Sequence, residues 1–134
     1  VGFHRHNSEI DQMLKKYSKN IKFNFTPHLT PMFRGILSTI YIDLKKGSTI
    51  NKINNELNKY YKKHPFIKIL NINSLISTND VINTNNCQIS VCKTKFSNKV
   101  VLLSSIDNLI KGGAGQAIQN MNIIKNFNIN IGLK

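Results

Sequence analysis

The sequence predicts an α+β domain built on one mostly antiparallel sheet with helices on one face. Two observations carry that expectation. The stretches 36–43, 88–93 and 99–106 read as strands, the first because Ile36, Ser38, Ile40 and Ile42 alternate with Leu37, Thr39, Tyr41 and Asp43 and it is apolar on both faces for part of its length, and apolar residues recur at three- and four-residue spacing over 10–17, 50–61 and 114–127, the period of helices. Strand-like and helix-like segments also follow one another without the regular strand–helix alternation of a parallel sheet.

In chain order, Asn7 has the chemistry of a helix N-cap, with Ser8, Glu9 and Asp11 as an acidic first turn. Ile10, Met13, Leu14 and Tyr17 supply the stripe that follows. Residues 21–25 alternate and read as a strand ended by Thr26-Pro27. Pro27 and Pro31 bracket a stiff connection that runs to Arg34-Gly35, and 36–43 is the clearest strand in the chain. Ser48 is placed to cap a second helix whose Ile50, Ile53, Leu57 and Tyr60 or Tyr61 share one side, and which stops before Pro65. Residues 66–70 form a short strand. The polar stretch 71–86 is loop with a brief strand near 81–82, and two strands at 88–93 and 99–106 are joined by a turn at Ser97-Asn98. Gly112-Gly113 break the chain before a last helix at 114–127.

The 134 residues suffice for one domain with a core. A chain that opens on Val1-Gly2-Phe3 reads as the interior of a longer polypeptide. No apolar run of membrane-spanning length occurs, nor a basic-then-apolar leader, so a cytoplasmic protein with no membrane partner is expected. The net charge of +13 invites a nucleic-acid reading, but it comes almost wholly from lysines spread along the chain beside many asparagines and isoleucines. That trio is what A/T-rich codons produce, and no nucleic-acid partner is expected. Cys87 and Cys92 sit an odd number of positions apart on one strand, so they face opposite ways and cannot pair with each other. They form no CxxC, and no metal site is expected. Against this lysine-rich background Arg5 and Arg34 are the only arginines, which suggests that a planar fork able to grip a carboxylate or phosphate is needed at both.

Three segments hold more polar functional groups than packing requires. The first is Phe3-His4-Arg5-His6-Asn7-Ser8-Glu9, at the mouth of a helix whose N–H groups favour an anion and whose histidines can act as acid or base near neutrality. The second runs from Thr26 to Gly35 and includes His28 and Arg34. The third, Ile106 to Ala117, passes through Asp107-Asn108, Lys111-Gly112-Gly113 and Gly115-Gln116 into the last helix, where Gln116, Gln119 and Asn120 share a side and Ala117, Met121 and Ile124 form the neighbouring apolar one.

Taken together and in order, these segments resemble the N-acetyl-gamma-glutamyl-phosphate reductases. The residues that carry the resemblance are His4-Arg5-His6 with Glu9-Ile10, Phe25-Thr26-Pro27-His28-Leu29 with Pro31-Met32 and Arg34-Gly35-Ile36, then Ile106-Asp107-Asn108-Leu109, Lys111-Gly112, Ala114-Gly115-Gln116-Ala117 and Gln119-Asn120-Met121-Asn122. The resemblance implies a catalytic and dimerisation domain at 1–110, like the C-terminal domain of glyceraldehyde-phosphate dehydrogenase-like enzymes. It also implies a helix and tail at 111–134 that pack back on an upstream Rossmann domain. It implies reduction of N-acetyl-gamma-glutamyl phosphate to the semialdehyde with NADP(H), by a cysteine thiolate that attacks the acyl phosphate. The dinucleotide fingerprint and that cysteine would precede Val1, so this chain alone is expected to be inactive. His6 and His4 are the expected catalytic residues, Arg5, Arg34 and His28 the substrate-binding ones, and Asn108, Lys111, Gln119 and Asn120 the cofactor-binding ones. A homo-oligomer formed through the sheet is implied as well. The alternatives are a semialdehyde dehydrogenase acting on a different acyl phosphate, and a basic nucleic-acid-binding domain.

Overall fold

A computed structural model describes residues 4–134; Phe3, which opens the first motif, lies outside the described residues. The chain forms two compact units, Val1–Met32 and Phe33–Lys134.

The first unit holds one helix, α1, at His6–Lys15, with an Asp11–Lys15 ion pair of 2.5 Å across one turn. The expected Asn7 cap is not formed, because the helix starts two residues earlier and Arg5 takes the cap position in helical geometry. The orphan N–H groups of the first turn find other acceptors: His6 N–H donates to His4 Nδ1 at 3.3 Å and Asn7 N–H to the His4 carbonyl at 2.8 Å. Residues 21–25 are not a strand. Alternation alone makes no strand without a neighbour to hydrogen-bond, and among the described residues this segment pairs with none. Phe25 instead sets its ring edge-on to that of His4, 5.6 Å between centroids.

The second unit is a four-stranded sheet in the order β1-β4-β3-β2, with β1 at Ile36–Asp43, β2 at Ile67–Ile69, β3 at Cys87–Lys93 and β4 at Lys99–Ile106. β1 pairs antiparallel with the whole of β4, β4 antiparallel with β3, and only the short β2 runs parallel to its neighbour β3. The expected α+β class and mostly antiparallel sheet are therefore observed. Helix α2, Ile50–Tyr61, packs on β2 and β3. Its cap is Thr49 rather than the expected Ser48, with Thr49 Oγ1 accepting from Lys52 N at 3.2 Å. The loop between β2 and β3 contains a 3₁₀ turn at Thr78–Asp80 and no strand at 81–82, although Val81 is fully buried. After β4 a π turn, Ile110–Ala114, leaves helical geometry at Gly113 and leads into α3, Gly115–Ile124, shorter than expected.

Phe66, Val81, Val91 and Val100 form a small apolar core, joined by the buried Ser90, Ser105, Asn85, Asp107 and Asn122. Each of these polar side chains makes at least one hydrogen bond, although Asn85 Oδ1 and Asn122 Oδ1 are buried without a partner among the described residues. Ser105 Oγ donates to the Ser77 carbonyl at 3.2 Å, and Asn122 Nδ2 donates to the carbonyls of Ile129 and Ile131, folding the tail onto α3. No helix among the described residues is long and apolar enough to cross a membrane.

Candidate functional site

In the first unit, the start of α1 gathers the histidine motif. The rings of His4 and His6 meet edge to face at 4.7 Å between centroids. His4 is half-buried, between His6 and Phe25, and its Nδ1 is an acceptor, so its ring proton belongs on Nε2. His6 is exposed on the first turn of the helix, as is Arg5 beside it. His28 is exposed in the irregular stretch between Thr26 and Pro31. Ser8 Oγ donates to the Arg5 carbonyl at 2.9 Å, which pins the backbone between the two histidines. The unit thus offers an oriented histidine, an accessible one and a cation at a helix N-terminus, a set suited to proton transfer beside an anion.

In the second unit the polar groups converge at the end of β4. Asp107, the first residue beyond that strand, is wholly buried. Its carboxylate takes the Arg34 guanidinium as a fork, with Nη2 at 2.7 Å from Oδ2 and Nε at 3.3 Å from Oδ1. It also accepts the backbone N–H groups of Asn83, Leu109 and Ile110. Burial by itself would raise the pKa of this carboxyl, but the guanidinium and the three N–H donors outweigh it and hold the group below its ordinary value. Asn108 Oδ1 accepts Gly35 N–H at 2.7 Å. Arg34 was expected for its fork, and the fork is found engaged by Asp107, a partner 73 residues away that no local pattern announces.

A second cluster sits on the turn and helix that follow. Lys111 Nζ donates to Gln119 Oε1 at 2.9 Å and lies 5.6 Å over the Phe66 ring. Burial lowers the Lys111 pKa, offset in part by the Cys87 thiol. Gln119 Oε1 also accepts from Nδ2 of the buried Asn85, at 2.8 Å. Sequence reasoning missed Asn85, because an asparagine in an asparagine-rich loop carries no signal of its own. On the outer side of α3, Gln116 donates to Asn120 at 3.0 Å. The structure therefore brings Lys111 and Gln119 together, sets Asn120 one turn from Gln116, and ties Asn108 to the Arg34–Gly35 corner. An ammonium with amide groups beside it fits a phosphate- and carboxamide-bearing dinucleotide by donor chemistry.

Cys87 and Cys92 are free, half-buried and on opposite faces of β3, as expected. Cys87 Sγ lies 3.5 Å from Ser104 Oγ, and Cys92 Sγ contacts the Ser74 carbonyl. Among the described residues no three metal-ligating side chains cluster.

Comparison with known proteins shows the family of the chain. Residues 1–108 match the family model for the semialdehyde dehydrogenase dimerisation domain. The chain is 46% identical over its whole length to the N-acetyl-gamma-glutamyl-phosphate reductase of Halothermothrix orenii. It is 41% identical to the protein of that name from Staphylococcus aureus (strain MRSA252), again over its whole length, and 45% identical over 99% of its length to that of Clostridium kluyveri. It spans 39% of the length of each of these relatives. The reductase resemblance of its motifs is thus matched by its relatives, and the chain belongs to the semialdehyde dehydrogenase dimerisation-domain family.

Proposed function

We propose that this chain is the dimerisation and C-terminal part of an N-acetyl-gamma-glutamyl-phosphate reductase, a cytoplasmic, NADPH-dependent enzyme of arginine biosynthesis. The observation that carries the reading is its 46% identity, end to end, to a protein of that name. The reaction proposed is reductive dephosphorylation. A cysteine thiolate from the upstream Rossmann domain attacks the acyl phosphate, phosphate departs, and the resulting thioester is reduced to the aldehyde. Bound NADPH supplies the hydride.

This chain's own residues are assigned the positioning and proton work. His6 is the acid/base, because its ring is accessible, with His4 as the alternative. The Nδ1 lone pair of His4 is committed to the His6 N–H, which leaves only Nε2 for chemistry and favours His4 as the group that steadies the turn. Arg5 and His28, both exposed, are assigned to the substrate's carboxylate and phosphate. Arg34 is assigned there too, through the N–H groups that Asp107 and Asn83 leave over. Asn108, Lys111, Gln119 and Asn120 would hold the cofactor. The division into 1–110 and a helix-and-tail element at 111–134 is kept, with α3 packing on the Rossmann domain. The exposure of Met121, Ile124 and Phe127 along α3 and just beyond it supports that arrangement.

The test is an assay of the full-length protein in reverse, from N-acetylglutamate semialdehyde, phosphate and NADP to NADPH. Phosphate-dependent NADPH formation is expected from the full-length protein and none from this chain alone. His6→Asn should lower kcat by roughly 10²- to 10⁴-fold with NADPH binding intact. A preference for a different semialdehyde would assign the protein to another acyl phosphate, and full kinetics in both His6→Asn and His4→Asn would remove the histidines from the mechanism.

A further inference from the structure

We propose that Asp107 is a positioning residue, which sets the Arg34 guanidinium and the Lys111 turn in one fixed relation at the end of β4. The proposal rests on the reductase reading for its substrate, but its geometry is independent of it. Both oxygens of the Asp107 carboxylate are fully used. Oδ1 accepts from Arg34 Nε and Nη2, Leu109 N and Ile110 N, and Oδ2 accepts from Asn83 N at 2.7 Å while pairing with Arg34 Nη2. The backbone of the same residue continues the pattern, its carbonyl accepting Gly112 N–H at 3.2 Å. The turn that carries Lys111 is therefore bonded to Asp107 on both sides of that lysine. On the other flank, Asn108 Oδ1 takes Gly35 N–H, so consecutive residues hold the consecutive pair Arg34-Gly35.

Such an investment is not explained by stability. A buried ion pair contributes little over well-packed apolar side chains, because desolvation of both charges offsets their attraction. What it provides is a single geometry. The guanidinium cannot swing, and one edge of it remains for a ligand: Nη1 makes one contact, to Asn83 Oδ1 at 3.3 Å, and the side chain keeps 16% of its surface open. The Lys111 ammonium is aimed in the same way, by Gln119 and the Phe66 ring. A binding group whose placement is fixed in advance loses less freedom when the ligand arrives.

Asp107→Glu in the full-length protein keeps the charge and lengthens the arm by one methylene, which displaces both partners. Expected are a rise of about ten-fold or more in KM for the acyl phosphate and in the dissociation constant for NADPH, with kcat within about three-fold of wild type. A lowered melting temperature with both constants unchanged would show a purely structural pin and overturn the proposal. If the Asp107 variant does not fold, Arg34→Lys serves instead. It retains a positive partner for Asp107 but not the fork, and an unchanged KM there overturns the proposal equally. NADPH binding by fluorescence needs no acyl phosphate. A wild type that binds NADPH but does not turn over that substrate would therefore count against the reductase reading, leaving the role of Asp107 to be decided by the change in NADPH affinity.

Discussion

Gly35 has φ +108°, and a Cβ built on it would lie 2.8 Å from Thr78 Cβ, so both its backbone and its surroundings demand glycine. Gly115 demands it for space alone: a Cβ there would fall 2.5 Å from Asn85 Oδ1 and 2.8 Å from the Ile110 carbonyl oxygen. Gly35→Ala and Gly115→Ala are each expected to cost about 1–3 kcal/mol in chemical denaturation. The Gly115 change should also loosen the Asn85–Gln119 bond beside it. Wild-type stability in either variant would show that the neighbours yield freely. Both glycines lie in motifs visible in the sequence, as does Arg34, since the rarity of arginine in this chain draws attention to it. Asp107 stands in a motif but carries no assigned role in the sequence, and Asn85 carries no signal at all, for a physical reason. What distinguishes them is burial among groups distant in sequence, and a carboxylate or amide is most often a solvated surface group.

Strands β1 and β3 were legible from alternating side chains, β4 from the apolar run at 100–103, and each finds a partner of matching length. The segment at 21–25 alternates as well but has no partner, and its pattern serves one aromatic contact instead. Pattern reveals which face can be buried; pairing decides whether a strand exists. The turn after β4 was legible as a glycine break, but its consequence for Lys111 was not. Burial lowers the pKa of that lysine below its ordinary 10.5, so between the lowered value and 10.5 the folded state holds fewer protons than the unfolded one. The ammonium therefore costs stability at neutral pH, and the cost is relieved as pH rises through the folded pKa. Lys111→Met keeps an unbranched stem over Phe66 without the charge. It should raise the melting temperature by roughly a few °C at neutral pH, an advantage that shrinks towards alkaline pH. It should also weaken NADPH binding, the trade expected of a group kept for function rather than for stability. A lower melting temperature at neutral pH would mean that the Gln119 bond outweighs desolvation.

At the scale of the whole molecule, the sheet leaves apolar surface uncovered. β1 is an edge strand, and Ile36 and Ile40 on one of its faces and Leu37 and Tyr41 on the other are all exposed, Tyr41 by 77%. The alternation that made this strand the clearest in the sequence was apolar on both faces. That is unusual for an edge, where natural sheets place charge or proline to prevent association. The family to which the chain belongs is a dimerisation domain. Together these features support a homo-oligomer that buries the β1 end of the sheet against a second copy. The face bearing Leu37 and Tyr41 continues into Val101 and Leu103 of β4, by the pairings Tyr41–Val101 and Thr39–Leu103, giving a contiguous apolar area of the kind interfaces use. Replacing both Leu37 and Tyr41 with Glu would place two carboxylates in that interface, at a desolvation cost of several kcal/mol. In the full-length protein the double variant is expected to shift the mass measured by light scattering from oligomer to monomer at micromolar concentration, with the secondary structure retained. Leu75→Glu, on the loop that follows β2, removes a still more exposed apolar residue outside β1 and should leave the mass unchanged. An oligomer that survives the double change on β1 but dissociates with Leu75→Glu would locate the interface on that loop and refute assembly through the sheet.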